Sequence, residues 1–479
     1  MKSGKGSRKG LEGFVKTILI EPCYICKDYR NLYSNFYSKK FLERSAICNR
    51  LHFFSTDGLS VGDILDDPET YREAYLGYSV IQPVRDRCIG RTVIDPMKIG
   101  HDRNTFFCLR TKTSVRINGT KYEVEGYPYM SQSGEATVCA HAALRGVCRY
   151  LSDRYPNYRE TYSYDLIAMT GNTSGRRVPY RGMSYEDYSE ILVSFGTHPV
   201  IIKPRTDQTK WTEDPNAFFD IYAYMESGFP VLVSFNGHVA AVIGHTVGDN
   251  LGIHQPENAR FYNSFTMVKQ FVVVDDNCFP YALLGYPKDP SDPGEDENYG
   301  SRFTTLAAHQ PSINSIYAAV IPLPEKAFLP PDTARRLCYK YFDHADARRL
   351  TDDVLKDLKC LGEPLVARQF LTTANSFKRR KKQCATGELG GQPDKLALLP
   401  VDLVLPHFMW VMEISPLSLY KQGFCVGEVV LDASASEDES EYIYMRVGKT
   451  ALRGNKVKPF APGLLRFPQY THNLGERDA

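Results

Sequence analysis

One cysteine and one histidine stand in sequence contexts that suit attack by a thiol. Cys139 follows a polar loop and opens a run of small and apolar residues that predicts a helix. A cysteine attacks as the thiolate, and a helix N-terminus stabilises that anion. His238 begins an apolar run over residues 239–243 that predicts a buried strand, so its imidazole is held in place yet can reach a thiol. We therefore predict Cys139 as the nucleophile and His238 as its base.

Acyl transfer needs two further groups, and the sequence offers both. The apolar strand that follows the histidine strand runs into Asp275 and Asp276, either of which could orient the imidazole. Successive strand residues point to opposite faces, so only one of the two should meet the ring. Gln132 precedes Cys139 by seven residues, and its side-chain amide can stabilise an oxyanion beside a backbone N–H. His141 lies on the same predicted helix as the cysteine but points elsewhere.

The order of these residues resembles that of the papain-like cysteine peptidase superfamily. It is similar to the bacteriocin-processing (C39-like) peptidases and to phytochelatin synthase in the segments Cys-Ala-His-Ala-Ala-Leu, Gly-Phe-Pro-Val-Leu-Val and Gly-His-Val-Ala-Ala-Val-Ile-Gly. The resemblance covers roughly residues 125–285. It implies that Gln132 completes the oxyanion hole, that Cys139 attacks, that His238 moves the proton and that an aspartate orients the histidine.

The resemblance also implies a fold and a function. Residues 275–281 are similar to the segment around the phytochelatin synthase aspartate, which favours Asp275 and leaves Asp276 as the alternative. The implied fold is α+β, a papain-like domain with a helix packed on an antiparallel sheet. The implied activity is hydrolysis of a peptide or isopeptide bond in a peptide or protein substrate, through a thioester acyl-enzyme and without a cofactor. Acyl transfer on the same triad and a catalytically inactive scaffold that binds a partner stay open as alternatives.

The chain is long enough for several domains, and four segments are expected. Residues 1–12 predict a basic disordered tail, residues 13–125 an N-terminal α/β module, and residues 126–290 the papain-like domain. Residues 291–479 predict a C-terminal α+β region that could complete the same fold. These flanking regions are the α/β additions at both ends. Within the first module, Asn-Gly at residues 118–119 predicts the turn of a β-hairpin.

Two other groups of residues could carry chemistry. Three cysteines and a histidine have the count and spacing of a zinc site, although their apolar neighbours favour plain packing. Residues 378–382 read Lys-Arg-Arg-Lys-Lys and predict a solvated basic loop, so contact with nucleic acid is not expected. The weak zinc candidates are Cys23, Cys26, Cys48 and His52.

Composition narrows the class of protein. The 479 residues carry 58 Lys and Arg against 56 Asp and Glu, a net charge of +2 that gives no nucleic-acid footprint. No apolar stretch follows the basic N-terminus and none is long enough to span a membrane, so neither a secretory signal nor a membrane anchor is expected. The 12 cysteines lie mostly among apolar residues, as reduced thiols do, which predicts a cytoplasmic protein. The oligomeric state stays open.

Overall fold

The structure is a computed structural model, and the protein is a mixed α+β protein with several antiparallel sheets. Among the residues that the structure describes, no helix has both the length and the apolar character needed to cross a membrane. The predicted N-terminal tail lies outside the described residues except for residue 11. The described residues are 11, 13–85, 87–133, 135–169, 182–203, 215–235, 237–248, 260–285, 316–389, 393–436, 441–453, 456–459 and 464–471.

The first part of the chain builds a four-stranded antiparallel sheet and a separate hairpin. The elements are β1 (Thr17–Tyr24), α1 (Lys27–Asn35), β2 (Cys48–Phe54), α2 (Val61–Asp66), β3 (Tyr75–Ile81), β4 (Ile89–Ile94), β5 (Phe106–Cys108), β6 (Thr111–Ile117) and β7 (Thr120–Gly126). Strands β1 to β4 pair in sequence order. The hairpin β6–β7 turns at Asn118 and Gly119, both with positive φ, as the Asn-Gly pair predicts.

The middle of the chain forms a seven-stranded antiparallel sheet, called here the central sheet. Its strand order is β13-β12-β10-β9-β14-β8, with β5 also paired to β10, so each flanking region contributes one strand. The elements are α3 (Cys139–Arg154), α4 (Ser163–Met169), α5 (Tyr185–Phe195), β8 (His198–Ile202), α6 (Pro215–Glu226), β9 (Val231–Phe235), β10 (His238–Val247), β11 (Phe261–Asn263), β12 (Val268–Val274), β13 (Ala282–Gly285) and β14 (Ala318–Leu323).

Alternate residues of the central strands face two different cores. Leu232, Ala241 and Val272 pack with α3, whose small residues Ala140 and Ala143 let the helix lie close to the sheet. The neighbouring residues of the same strands pack against α6 and the C-terminal sheet. Strands buried on both faces read as continuous apolar runs, which is why the sequence pattern identified them. One face of the central sheet therefore fixes the position of α3.

The last part of the chain forms a second seven-stranded sheet, in the order β11-β15-β16-β18-β19-β20-β21. All its pairs are antiparallel except β11 with β15, and β17 pairs separately with β22. The elements are α7 (Pro331–Asp343), α8 (Ala345–Asp357), β15 (Leu365–Thr373), α9 (Ala374–Thr386), β16 (Phe408–Pro416), α10 (Leu417–Tyr420), β17 (Phe424–Cys425), β18 (Gly427–Asp432), β19 (Tyr442–Val447), β20 (Thr450–Arg453), β21 (Lys456–Pro459) and β22 (Phe467–Pro468).

The basic run at residues 378–382 lies on helix α9, so the prediction of a solvated loop was wrong. Thr373 caps the helix by accepting a hydrogen bond from the backbone N–H of Ser376. Lys381 is buried and pairs with the buried carboxylate of Glu428 on β18. Lys378 donates to the carbonyl of Leu403 at 2.7 Å. Part of the positive charge of this basic run is therefore paired with groups inside the protein.

Candidate active site

Cys139 is the first residue of helix α3, as the sequence predicts, and its side chain is half-buried. The loop before it is tightened by Ser133, whose hydroxyl accepts from the backbone N–H groups of Ala136 and Thr137 at 2.9 and 3.1 Å. The loop brings the chain into the helix with the sulfur at its N-terminal end, where the backbone N–H groups favour an anion. Cys139 therefore lies at the helix start that the sequence predicts for a nucleophilic cysteine.

His141 completes this helix start. Its Nδ1 accepts a hydrogen bond from the backbone N–H of Val138 at 3.3 Å, which satisfies a donor that the first turn leaves free. Burial lowers the pKa of His141 to about 4, so the ring is neutral at physiological pH. The expectation that His141 points elsewhere and is not the base agrees with this position. Its role is to cap the helix that carries Cys139.

His238 and Asp275 meet because β10 begins where its antiparallel neighbour β12 ends. Ala241 pairs with Val274, so the residue after β12 lies beside the start of β10. Nε2 of His238 hydrogen-bonds Oδ2 of Asp275 at 2.6 Å. The side chain of Asp275 is fully buried, and its other oxygen accepts from the backbone N–H of Asn277 at 2.8 Å. The carboxylate is thus fixed on both oxygens.

The side chain of Cys139 lies close enough to the His238 ring to favour its charged form. Burial disfavours the charged ring, but the hydrogen bonds and the attraction of Asp275 and Cys139 outweigh it and raise the pKa of His238 to about 10. The imidazole therefore holds its proton at neutral pH, and an imidazolium favours a thiolate as its partner.

Asp276 lies near the ring without bonding to it. The carboxylates of Asp275 and Asp276 and a ring nitrogen of His238 all lie within 4.8 Å of one another. Asp276 is buried and forms an ion pair with Arg87, from Nη1 to Oδ2, at 3.0 Å. Burial and the charge of Asp275 raise the pKa of Asp276 to about 6, although His238, Arg87 and the backbone N–H of Gln132 favour its charged form. The structure thus places Asp275, the preferred of the two candidates, in the hydrogen bond to the imidazole.

Gln132 is half-buried in the loop before α3, and its backbone N–H faces Asp276. It therefore lies on the side of the site where the second aspartate is. The role of its side-chain amide as an oxyanion donor stays a prediction. Its neighbour Ser131 ties this loop to the N-terminal sheet through hydrogen bonds to the β3–β4 turn.

Sequence reasoning missed Arg87. It lies 189 residues before Asp276 in the chain and in a different sheet, and no motif or spacing marks it. The only available signal is that it stands in a polar turn between two predicted strands, as many surface arginines do. Its approach to the site depends on how the N-terminal sheet packs against the loop before α3.

The weak zinc candidates do not form a metal-holding group. The ring of His52 is engaged by the hydroxyl of Tyr75 at 3.1 Å and by Glu21 at 3.2 Å, and burial lowers its pKa to about 4. Cys23 is exposed, whereas Cys26 and Cys48 are buried. In the part of the chain that the structure describes, the only close group of three or more potential ligands is His238, Asp275 and Asp276. In that group His238 and Asp275 are bonded to each other, and Asp276 is paired with Arg87.

The chain matches no family model, no curated protein and no solved structure. What it does must therefore be inferred from Cys139, His238 and Asp275. The three residues provide a sulfur at a helix N-terminus, an imidazole between that sulfur and a carboxylate, and a carboxylate screened from water. This arrangement can make a nucleophile and move one proton.

Proposed function

We propose that the protein is a papain-like cysteine peptidase that hydrolyses a peptide or isopeptide bond with Cys139, His238 and Asp275. The observation that carries the proposal is the position of the His238 ring. Its Nε2 is bonded to a buried carboxylate, and the ring lies close enough to the thiol of a helix N-terminal cysteine for that thiol to help raise its pKa. The same carboxylate–imidazole–nucleophile order recurs among hydrolases on unrelated folds. The packing of α3 on an antiparallel sheet also agrees with the resemblance in sequence.

The proposed reaction has two halves, formation of an acyl-enzyme and its hydrolysis. The Cys139 thiolate attacks the carbonyl carbon, and the oxyanion formed is stabilised by the backbone N–H of Cys139 and the side-chain amide of Gln132. The C–N bond breaks as His238 donates its proton to the leaving amine, which leaves a thioester on the sulfur. Water then attacks the thioester while His238 takes its proton, and the acid and the thiol are released. Asp275 keeps the imidazole aligned throughout.

Alkylation with iodoacetamide tests the proposal without a known substrate. Cys139 should react far faster than any other cysteine near pH 7, and mass spectrometry of the digested protein identifies the labelled position. Cys278 is a matched internal control because it is also half-buried and lies near the same aspartates. Burial and the charges of Asp275 and Asp276 raise the pKa of Cys278 to about 12, so it should stay almost unlabelled. Equal, slow labelling of all cysteines would overturn the proposal and favour an inactive scaffold.

Two finer features belong to the same proposal. We expect a peptide or protein substrate in the cytoplasm, which is supported by the 12 cysteines, all of which are free. Once a substrate is found, its products with and without an added amine distinguish hydrolysis from acyl transfer. A product that incorporates the amine in place of water would replace hydrolysis by transfer on the same three residues.

A further inference from the structure

The turn between β3 and β4 carries an arginine from the N-terminal sheet to the candidate site. Arg87 has φ +52°, in the left-handed region that non-glycine residues rarely adopt. Such a conformation is unfavourable by itself and persists where surrounding contacts fix it. The strained backbone therefore suggests that the direction of this side chain is imposed by its surroundings.

Contacts from the loop before α3 hold that backbone in place. The hydroxyl of Ser131 shares its one proton between the carbonyl oxygens of Arg87 at 2.9 Å and Ile89 at 2.8 Å. The backbone N–H of Ser131 donates to the same carbonyl of Ile89 at 3.0 Å. Ser131 is the direct neighbour of Gln132. The turn and the predicted oxyanion loop are therefore held as one unit.

The guanidinium is only partly used by its known contact. Asp276 accepts one hydrogen bond from Nη1, and among the described residues it is the only acceptor for this side chain. The Asp276 side chain is 2% exposed, whereas that of Arg87 is 42% exposed. A buried carboxylate needs a counter-ion, which explains why one edge of the Arg87 guanidinium contacts Asp276. The rest of the Arg87 side chain is partly exposed, and the carboxylate that it contacts lies within 4.8 Å of a ring nitrogen of His238.

We propose that Arg87 binds a carboxylate of the substrate next to the bond that is cleaved. This inference rests on the proposed function and names the substrate class of the same site: peptides with an acidic side chain or a free carboxyl group beside the scissile bond. A guanidinium has a planar fork of donors that fits a carboxylate on two bonds. Asp276 fixes the fork from behind, so a substrate carboxylate meets donors that are already oriented.

Two alkylating reagents of similar size test this charge preference at Cys139. Iodoacetate carries a carboxylate and iodoacetamide an uncharged amide in its place. Arg87→Gln should lower the ratio of the iodoacetate rate to the iodoacetamide rate by about two- to fivefold, as expected for loss of one partly screened charge. The iodoacetamide rate of the same variant is the reference, because a change in the thiol itself alters both rates and leaves their ratio unchanged.

Arg85→Gln is the matched control, since Arg85 is an exposed arginine in the same turn and its loss changes the net charge equally. A ratio that Arg87→Gln leaves unchanged, or that Arg85→Gln lowers as much, would overturn the inference. The proposed function would be contradicted by a different result, namely that neither reagent labels Cys139 selectively.

The source of the carboxylate is tested with peptidyl chloromethyl ketones. Inactivators with Glu or Gln beside the reactive carbon compare an acidic with a neutral side chain. A Glu preference that Arg87→Gln removes supports recognition of an acidic side chain. If the Glu and Gln inactivators react equally while Arg87→Gln lowers the iodoacetate ratio, Arg87 recognises a free carboxyl group of the substrate.

Discussion

Strand β10 carries two histidines that are both bonded to carboxylates, and they serve different ends. His238 meets Asp275 at 2.6 Å, and His245 meets Glu226 at 3.0 Å. The register of β10 shifts between the two histidines, so simple alternation along the strand does not relate their rings. His238 lies near Cys139 at the start of α3, whereas His245 contacts α6 through Glu226.

The difference lies in what else touches each ring. The His238 side chain is 20% exposed and lies near the thiol of Cys139. The His245 side chain is 4% exposed, and its Nδ1 is buried without a partner among the described residues. Burial disfavours the charge of Glu226, but Arg368 and His245 together lower its pKa to about 2. We therefore expect a histidine–carboxylate pair to take part in chemistry only where a nucleophile lies beside it, as proposed for His238. Surrounded by buried charges, the same pair joins two sheets.

The largest effect is expected from removing Arg368, the buried cation that pairs with the carboxylate bonded to His245. Arg368 contacts Glu226 at 2.5 Å and Glu413 at 3.3 Å, all of them buried. Arg368→Met should lower the free energy of unfolding by about 3–5 kcal/mol, because two buried carboxylates lose their cation. Urea titration measures the loss. Arg336→Met, at a side chain that is 59% exposed, is the control and should cost about 0.5 kcal/mol or less. Similar costs for both variants would contradict a structural role for the buried pair.

The same substitution at each histidine separates the two roles directly. His238→Asn should slow iodoacetamide labelling of Cys139 at pH 7 by about 10- to 30-fold, because the thiol loses the imidazole that takes its proton. Its free energy of unfolding at pH 7 should also fall, because the buried carboxylate of Asp275 loses its charged partner. His245→Asn should keep the labelling rate within about twofold and lose about 1–3 kcal/mol of stability. If His245→Asn slows the labelling of Cys139 as much as His238→Asn does, the contrast between the two rings is wrong.

Asp275→Asn should change how the free energy of unfolding depends on pH. The pKa of His238 lies at about 10 in the folded protein, above the value near 6.5 of a free histidine. Its proton therefore stabilises the fold fully below about pH 6.5, and this stabilisation is lost as the pH rises towards 10. Without Asp275 the folded pKa falls, so the decline in unfolding free energy between pH 7 and 10 should become shallower. Stability measured across that range in both proteins tests the sign, and a steeper decline in the variant would contradict it.

The smallest effect is expected at Asp276. Its folded pKa of about 6 lies above the value near 3.9 of a free aspartate, so its ionisation opposes folding as the pH rises from about 4 to 6. Asp276→Asn should therefore raise the free energy of unfolding by about 1 kcal/mol at pH 8 and leave it unchanged at pH 4. Thermal unfolding at the two pH values checks this. A loss of stability at pH 8 would mean that the ion pair with Arg87 outweighs the cost of burying the charge.

Some elements could be predicted because their signals are local. The Asn118-Gly119 turn, the helix that starts at Cys139 and the strand that starts at His238 all follow from short stretches of sequence. The basic run at residues 378–382 was misread because burial of a lysine depends on a carboxylate 47 residues away. The zinc candidates likewise have suitable spacing, but His52 turns to Tyr75 and Glu21, partners that the spacing could not reveal.

The sequence by itself determined which groups could react: a cysteine at a helix start, a histidine at a strand start and two aspartates at a strand end. Periodicity and capping act over a few residues, so a single chain displays them. Only the tertiary structure decided that Asp275 rather than Asp276 bonds the ring, that His245 is structural, and that Arg87 reaches the site. Those outcomes depend on strand register and on contacts between residues far apart in the chain, where small differences in packing select one partner from several chemically equivalent ones.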